Sequence, residues 1–192
     1  MLKTQTIIFS LFFLLAFSSD ALAQDADFRN VNWSMTVEEV KNAETAKLRQ
    51  ENAKALVYST TLNNDNFYLV YHFGEEGLYH AFYQYNEKHT NKNSFLNAYD
   101  DLKTILQNKY GTPEVDKVDW LNDLHINNPE NYGLAISTGH LEKRAQWSTD
   151  TTQVDLILSG DNFKINLHVA YTSLALVAAE AAKKQEDLED VF

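Results

Sequence analysis

Hydrophobic and polar residues alternate along several stretches of this chain, and a period of two is typical of β-strands with one buried face. The longest alternation runs from residue 163 to residue 171, where every second residue is aromatic or aliphatic. Turn-forming residues at 63–65, 74–77 and 160–162 separate neighbouring strands and predict antiparallel hairpins. The other predicted strands are 56–62, 67–73, 78–86, 134–138, 141–149 and 152–159.

A helix is predicted near the start of the alternating region. Thr36 and Glu39 have the spacing of a capping box, in which each side chain satisfies a backbone N–H of the other residue. Met35 and Val40 are placed as a hydrophobic staple across the same turn. Both patterns predict that the helix begins at Val37.

The strongest helical pattern lies at 94–110, where apolar residues recur at steps of three and four. Gly111 and Pro113 follow this segment and are expected to end the helix. Residues 41–55 favour a helix only weakly, and we expect a helix, a break and a second short turn there. Residues 174–190 are rich in Ala, Lys and Glu and predict a terminal helix.

The order of these elements predicts an α+β fold, an antiparallel sheet with helices packed on one face. Residues 114–132 are expected to form a long, partly ordered connection. Residues 24–173 are expected to form one domain of two similar α-β-β-β halves, at about 28–90 and 91–173. Residues 174–192 are expected to form an acidic C-terminal helix or tail.

The first 23 residues have the layout of a cleavable secretory signal peptide. Lys3 precedes an apolar run at 7–17, and Ala21 and Ala23 stand where signal peptidase requires small residues. The apolar run is shorter than the roughly 20 residues that a membrane-spanning helix needs. We therefore expect cleavage after Ala23 and a soluble mature protein, without a membrane span, in the periplasm of a Gram-negative bacterium or secreted from it.

Composition limits how this chain can be stabilised and what it can bind. There is no cysteine, so neither disulfides nor a lipid anchor on an N-terminal cysteine is expected. Removal of residues 1–23 takes away one basic and one acidic residue, so the formal net charge stays at −11. Such a charge argues against nucleic acid and against anionic lipid surfaces as partners, because both attract basic faces.

The opening of the predicted mature domain carries a resemblance. Trp33-Ser34-Met35-Thr36, followed by Glu39-Val40, resembles the W-G-M-[ST]-x-x-E-V opening of exported bacterial proteins of unknown function, with Ser34 where glycine is usual. The order of elements is similar to that of the β-lactamase inhibitor protein fold and of small outer-membrane assembly proteins. The resemblance implies an α+β domain of that kind, and most proteins with this opening have no assigned activity.

No familiar catalytic or metal motif is present. The sequence lacks a G-x-S-x-G elbow, an H-E-x-x-H helix, a Walker loop and a G-x-G-x-x-G loop. If the hairpin closes at 74–77, Tyr71 pairs with His80 and His72 pairs with Tyr79. The two histidines would then lie on opposite faces of the sheet, where they could not share a metal ion. The sequence therefore predicts neither a metal site nor a cofactor site.

Two further functions stay open. An envelope hydrolase could use paired carboxylates, for which Glu75, Glu76, Asp155 and Asp161 are candidates, because two carboxyl groups about 5–9 Å apart can hydrolyse a sugar bond. A small-ligand carrier would need an internal cavity between the sheet and its helices, lined by aromatic residues.

Aromatic residues are concentrated in the predicted strands 67–73 and 78–86. A sheet with helices on one face can cover only half of them, and Tyr68, Tyr79, Tyr83 and Tyr85 are the candidates for the open side. Tyrosine is favoured at binding surfaces because its rigid ring contributes contact area while its hydroxyl stays hydrated. We therefore expect a non-enzymatic domain that binds a protein or peptide through these four residues. The alternative is cross-strand aromatic pairing that only stabilises the sheet.

Overall fold

The computed structural model describes residues 26–179. The predicted signal peptide (residues 1–23), its cleavage site and most of the predicted C-terminal helix or tail lie outside the described residues. A helix begins at Leu174 and is described as far as residue 179. Among the described residues, no helix is both long enough and apolar enough to cross a bilayer.

Within residues 26–179, eight antiparallel strands form one sheet. Their order in the sheet is β1-β2-β3-β4-β8-β7-β6-β5. Strands β1–β4 form one meander and β5–β8 form a second, and the two meanders join where β4 pairs with β8. The strands are β1 (Lys47–Asn52), β2 (Ala55–Leu62), β3 (Asp65–Gly74), β4 (Gly77–Tyr85), β5 (Val115–Trp120), β6 (Leu141–Ser148), β7 (Thr152–Asp161) and β8 (Lys164–Ser173).

A helix precedes each meander. Helix α1 (Val37–Ala43) comes before β1, and helix α2 (Ser94–Tyr110) comes before β5. A short 3₁₀ helix (Pro129–Asn131) and helix α3 (Tyr132–Ser137) lie between β5 and β6, and helix α4 begins at residue 174. Each half therefore has four strands, and in the first half strand β1 is one more than the three predicted there. The sheet dominates the fold, so the expected α+β description fits it only loosely.

One face of the sheet carries the hydrophobic core, and we call it the helix-side face. Helices α2 and α3 both contact β6, β7 and β8. Tyr99 of α2, Ile136 of α3 and Val40 of α1 belong to the same buried cluster as Leu69 and Trp147 of the strands. A common cluster means that these helices and the inward residues of both meanders share one core.

The expected helix, break and turn at 41–55 were wrong beyond α1, because residues 47–52 form strand β1. All six residues of β1 are exposed, and the strand pairs only with β2. Because β1 has no buried face, its sequence shows no alternation of apolar and polar residues. Backbone hydrogen bonds to β2 hold the strand in place. Strand β1 also contributes two cationic side chains, Lys47 and Arg49, to a surface groove.

Two further predictions in the second half were wrong. The expected connection at 114–132 begins with strand β5, and the expected strand at 134–138 lies in α3 and the turn that follows it. A short apolar run suits a buried helix as well as a strand. Gly133 of α3 packs closely against the residues before α2: its N–H donates to the Asn93 side chain at 2.6 Å, and a Cβ would lie 2.3 Å from the Lys92 carbonyl carbon.

The predicted turn at 63–65 is confirmed, with positive φ angles at Asn63 (49°) and Asn64 (70°). The turn predicted at 160–162 falls slightly later, at Asn162 and Phe163, whose φ angles are 50° and 63°. Two left-handed residues are what a two-residue β-hairpin requires. Phe163 is consequently 68% exposed rather than part of the inward row expected for it.

The predicted capping box of α1 is confirmed. The Thr36 hydroxyl accepts the Glu39 backbone N–H, and the Glu39 carboxylate accepts the Thr36 backbone N–H at 2.8 Å. Two residues earlier, Ser34 has a φ of 67°, a left-handed conformation that glycine adopts without steric cost. The backbone at this position therefore favours glycine over the serine that this chain carries.

Replacing Ser34 with glycine is expected to raise the free energy of unfolding by about 1 kcal/mol, because it removes the left-handed penalty of a residue with a Cβ. Ser34→Ala is the matched control and should bring no gain, since alanine keeps that penalty. Chemical denaturation of the two variants beside the parent chain measures the difference. Equal effects of the two substitutions would contradict this account.

Candidate binding face

The face of the sheet opposite the core is not part of the buried hydrophobic cluster, and we call it the open face. Strand register assigns its residues, because partners directly opposite each other point to the same side. One row across the sheet joins Val70, Phe82, Ala170 and Asp155. The two flanking rows are His72-His80-Thr172-Gln153 and Tyr68-Gln84-His168-Ile157.

A β-bulge sets the facing of residues in β3 and β4. The register shifts so that Phe73 pairs with Leu78 whereas His72 pairs with His80, which leaves Tyr79 as the extra residue. The expected pairs, Tyr71 with His80 and His72 with Tyr79, were wrong by one residue. A slip of one residue moves a side chain to the other face. His72 and His80 are therefore neighbours on the open face, with ring centroids 5.7 Å apart.

Register places the four predicted tyrosines in three different surroundings. Tyr83 and Tyr85 are 6% and 7% exposed and lie in the core, so the facing expected for them was wrong. Both pair with core residues, Tyr83 with Leu69 and Tyr85 with Phe67. Tyr68 lies on the open face and is 37% exposed. Tyr79 is half-buried at the bulge beside Gly74. The binding role of Tyr68 and Tyr79 stays a prediction.

Aromatic and imidazole rings contact one another at the centre of the open face. The Phe82 ring centroid lies 5.5 Å from that of His72, 5.6 Å from that of His80 and 6.4 Å from that of His168. The Thr172 hydroxyl lies 3.0 Å from Nδ1 of His80. These four rings, which we call the ring cluster, give the centre of the face a flat and weakly polar surface. The contact between these rings could not be predicted from the sequence, because the bulge shifts the β3–β4 register by one residue.

Burial sets the charge of the ring cluster. Burial, assisted by the nearby His72 and His168 and opposed by Asp155, lowers the pKa of His80 to about 4. Burial also lowers the pKa of His72 and of His168. All three imidazoles are therefore neutral at neutral pH, which allows them to act as aromatic surface rather than as cations.

Acidification is expected to destabilise the fold through these histidines. The folded pKa of His80, about 4, lies below the unfolded value of 6.5, so the unfolded chain binds more protons between these values. The free energy of unfolding should fall by about 2 kcal/mol from pH 7 to pH 4 on account of His80, after allowance for its partial solvation. Denaturation curves of the parent and His80→Gln across this pH range test it. An equal pH dependence in both proteins would contradict the expectation.

An ion pair between a buried carboxylate and an exposed guanidinium borders the ring cluster. Asp155 is 7% exposed, and one of its oxygens accepts Nε (3.0 Å) and Nη2 (2.6 Å) of Arg144. Its second oxygen accepts the Gln153 amide at 2.6 Å. With both oxygens engaged, Asp155 holds Arg144 against the sheet. Asp161 is six residues further along β7, roughly 20 Å away at the rise of a strand, too far for the two to act as a catalytic pair.

A groove of about 330 Å³ lies where β1, β2 and β3 meet. Lys47 and Arg49 of β1 line it together with Ser59, Asn66 and Tyr68, and we call it the basic groove. A second, shallower groove of about 230 Å³ is lined by residues of the ring cluster and their neighbours. The basic groove was missed in the sequence because β1 was expected to be helical. Among the residues described, no three histidine or acidic side chains are placed to hold a metal ion.

Comparisons of this chain with family models, with curated proteins and with solved structures give no match.

Proposed function

We propose that this chain is an exported, non-enzymatic protein whose open face binds another protein. The observation that carries the proposal is the ring cluster, which lies on the face that the helices within residues 26–179 leave uncovered. Its rings are half-buried and their imidazoles are neutral, so little solvation free energy is lost when a partner covers them. Aromatic side chains at the centre of a surface are those that contribute most to protein–protein affinity.

The polar surroundings of the ring cluster fit the same function. Gln84 and the Arg144–Asp155 pair surround it with hydrogen-bonding groups that are already oriented. A polar rim around an aromatic centre is the usual arrangement of a non-obligate interface. Tyr68, at the edge of the face, extends the aromatic surface toward the basic groove. In the described part of the chain, no observation favours the hydrolase or the small-ligand carrier.

Affinity capture from an envelope extract of the host, read by mass spectrometry, tests the proposal. A double variant, Tyr68→Ser with Phe82→Ser, removes two rings of the open face without touching the helix-side core. Ile105→Ser is the matched control, because Ile105 is a 45% exposed apolar residue of α2. We expect a near-stoichiometric partner that the parent and the control retain and the double variant loses.

Hydrogen exchange of the captured complex locates the contact. Amides of β3, β4 and β8 should gain protection, and thermal unfolding of the double variant should stay cooperative. Equal capture by the double variant, or the absence of any partner, would contradict the proposal. Substitution of Tyr83 or Tyr85 is unsuitable for this test, because both side chains are core residues.

A further inference from the structure

The two cations of the basic groove are brought together by a bulge in β1. The β1–β2 register shifts between Leu48 and Gln50, so Arg49 has no partner residue in β2. Arg49 nevertheless lines the groove beside Lys47. Bulges often re-aim a side chain next to a functional site. A bulge on an edge strand also disfavours the addition of a further strand, so a partner here is expected to insert side chains rather than extend the sheet.

Neither cation has an acidic partner within residues 26–179. Every described salt bridge involves other basic residues, although the chain carries 27 acidic residues and a net charge of −11. Glu87, which follows Asn86 of the groove lining, accepts the backbone and side-chain N–H groups of Asn66 at 2.8 and 2.6 Å. Two like charges in one groove repel each other, and a carboxylate from outside would relieve that repulsion.

The groove is also continuous with the open face. Lys47 pairs with Ser59, which pairs with Tyr68, and Tyr68 pairs with Gln84 at the edge of the ring cluster. A volume of about 330 Å³ accommodates one or two side chains. The Tyr68 hydroxyl and the Ser59 hydroxyl add hydrogen-bond donors that suit a carboxylate.

We propose that the partner bound at the open face carries an acidic segment whose carboxylates enter the basic groove and pair with Lys47 and Arg49. This inference rests on the proposed function, since it names the chemistry of that same partner. Residues of the segment next to its carboxylates would continue along Tyr68 toward the ring cluster. The recognised element is therefore an Asp- or Glu-containing loop or tail with an adjacent apolar side chain.

Selection of displayed random 12-residue peptides on the immobilised full chain tests this proposal. Selected peptides should be enriched in Asp and Glu beside aromatic or aliphatic residues. Their affinity, measured by calorimetry with synthetic peptides, should fall at least tenfold in the Lys47→Glu, Arg49→Glu double variant. The Lys54→Glu, Lys109→Glu double variant changes net charge equally and should bind within twofold of the parent.

The outcomes separate the two proposals. Peptides that lose affinity in Tyr68→Ser, Phe82→Ser but not on charge reversal in the groove would overturn the acidic-segment proposal and leave the protein-binding face standing. Selected peptides without acidic residues would do the same. Failure to obtain any peptide sensitive to the open-face variant would count against both. Two results together would support the acidic segment. The groove variant should lose affinity for the peptides, and the parent should bind them more weakly at 0.5 M than at 0.05 M salt, because salt screens ion pairs.

Discussion

Glu44→Ala is expected to lower the free energy of unfolding by about 3–4 kcal/mol. The Glu44 side chain is 1% exposed and pairs with Arg29, whose Nε and Nη2 donate to its two oxygens at 2.9 and 3.1 Å. The Tyr71 hydroxyl donates to the same carboxylate at 2.5 Å. Alanine would leave the partly buried Arg29 guanidinium and the buried Tyr71 hydroxyl without their acceptor. A buried donor or charge without a partner destabilises the folded state strongly.

The pKa of Glu44 reports on the same contacts. Burial opposes its ionisation, but hydrogen bonds from Tyr71 and from the Ala46 backbone, together with the charge of Arg29, lower the pKa below its ordinary value of 4.5. Its contribution to stability is therefore present above that value and is lost as the pH falls through the lower folded pKa. Glu44→Gln should remove this acid sensitivity and cost less than alanine, since the amide still accepts hydrogen bonds.

Urea denaturation at pH 7 measures both variants. Glu38→Ala is the control, because Glu38 belongs to an exposed pair with Lys41, and exposed pairs contribute roughly 0–1 kcal/mol. A loss for Glu44→Ala no larger than that of the control would show that the buried network does not stabilise the fold.

Gly77→Ala is expected to destabilise the fold by about 3 kcal/mol or more, whereas Gly74→Ala in the same hairpin should cost less than about 1 kcal/mol. A Cβ on Gly77 would lie 2.3 Å from the Ser34 carbonyl oxygen, and its φ of 91° is one that alanine rarely adopts. At Gly74 the nearest atom to a Cβ is Cδ1 of Tyr79, at 3.4 Å.

The difference arises because the segment before α1 packs directly on the start of β4. The Ser34 N–H donates to the Leu78 carbonyl, and the Leu78 N–H donates to the Met35 carbonyl, each at 2.9 Å. Trp33 reaches the second meander, where its Nε1 donates to Thr152 at 2.8 Å. Alanine at residue 77 would push this segment away, and denaturation of each variant can be followed by tryptophan fluorescence, to which Trp33, Trp120 and Trp147 contribute. Equal stabilities of the two alanine variants would refute the steric explanation.

The sequence alone predicts the elements whose signals are local. The capping box at Thr36, the helix at 94–110 and the hairpins at 63–65 and 74–77 depend on residues close together in the chain, and the structure confirms them. Strand β1 was not predictable in this way, because it is exposed on all its residues and is held by pairing with β2. The short helix α3 was missed because its apolar run suits either kind of element.

The candidate site depends on non-local geometry and was predicted only in part. Tyr68 was assigned to the open side from composition alone. The single extra residue at the β3–β4 bulge places His72 beside His80, and nothing in the hairpin sequence marks where that residue lies. The basic groove needs a second bulge, at Arg49, in a strand that was itself unexpected. Bulges change which side chains are neighbours without changing the alternation from which strands are predicted.

The junction between the two meanders runs through the middle of the open face. His80, Phe82 and Gln84 lie on its first-meander side, and their partners Thr172, Ala170 and His168 lie on the other, more than eighty residues away in the chain. Pairings of such sequence separation are costly in loop entropy and tend to form late in folding. The surface we assign to binding is therefore complete only when both halves are joined, because β8 and β7 supply His168, Thr172 and Asp155. The first meander alone would present His72, His80 and Phe82 without His168 and Asp155, so full affinity at this face would indicate that both halves have folded and joined.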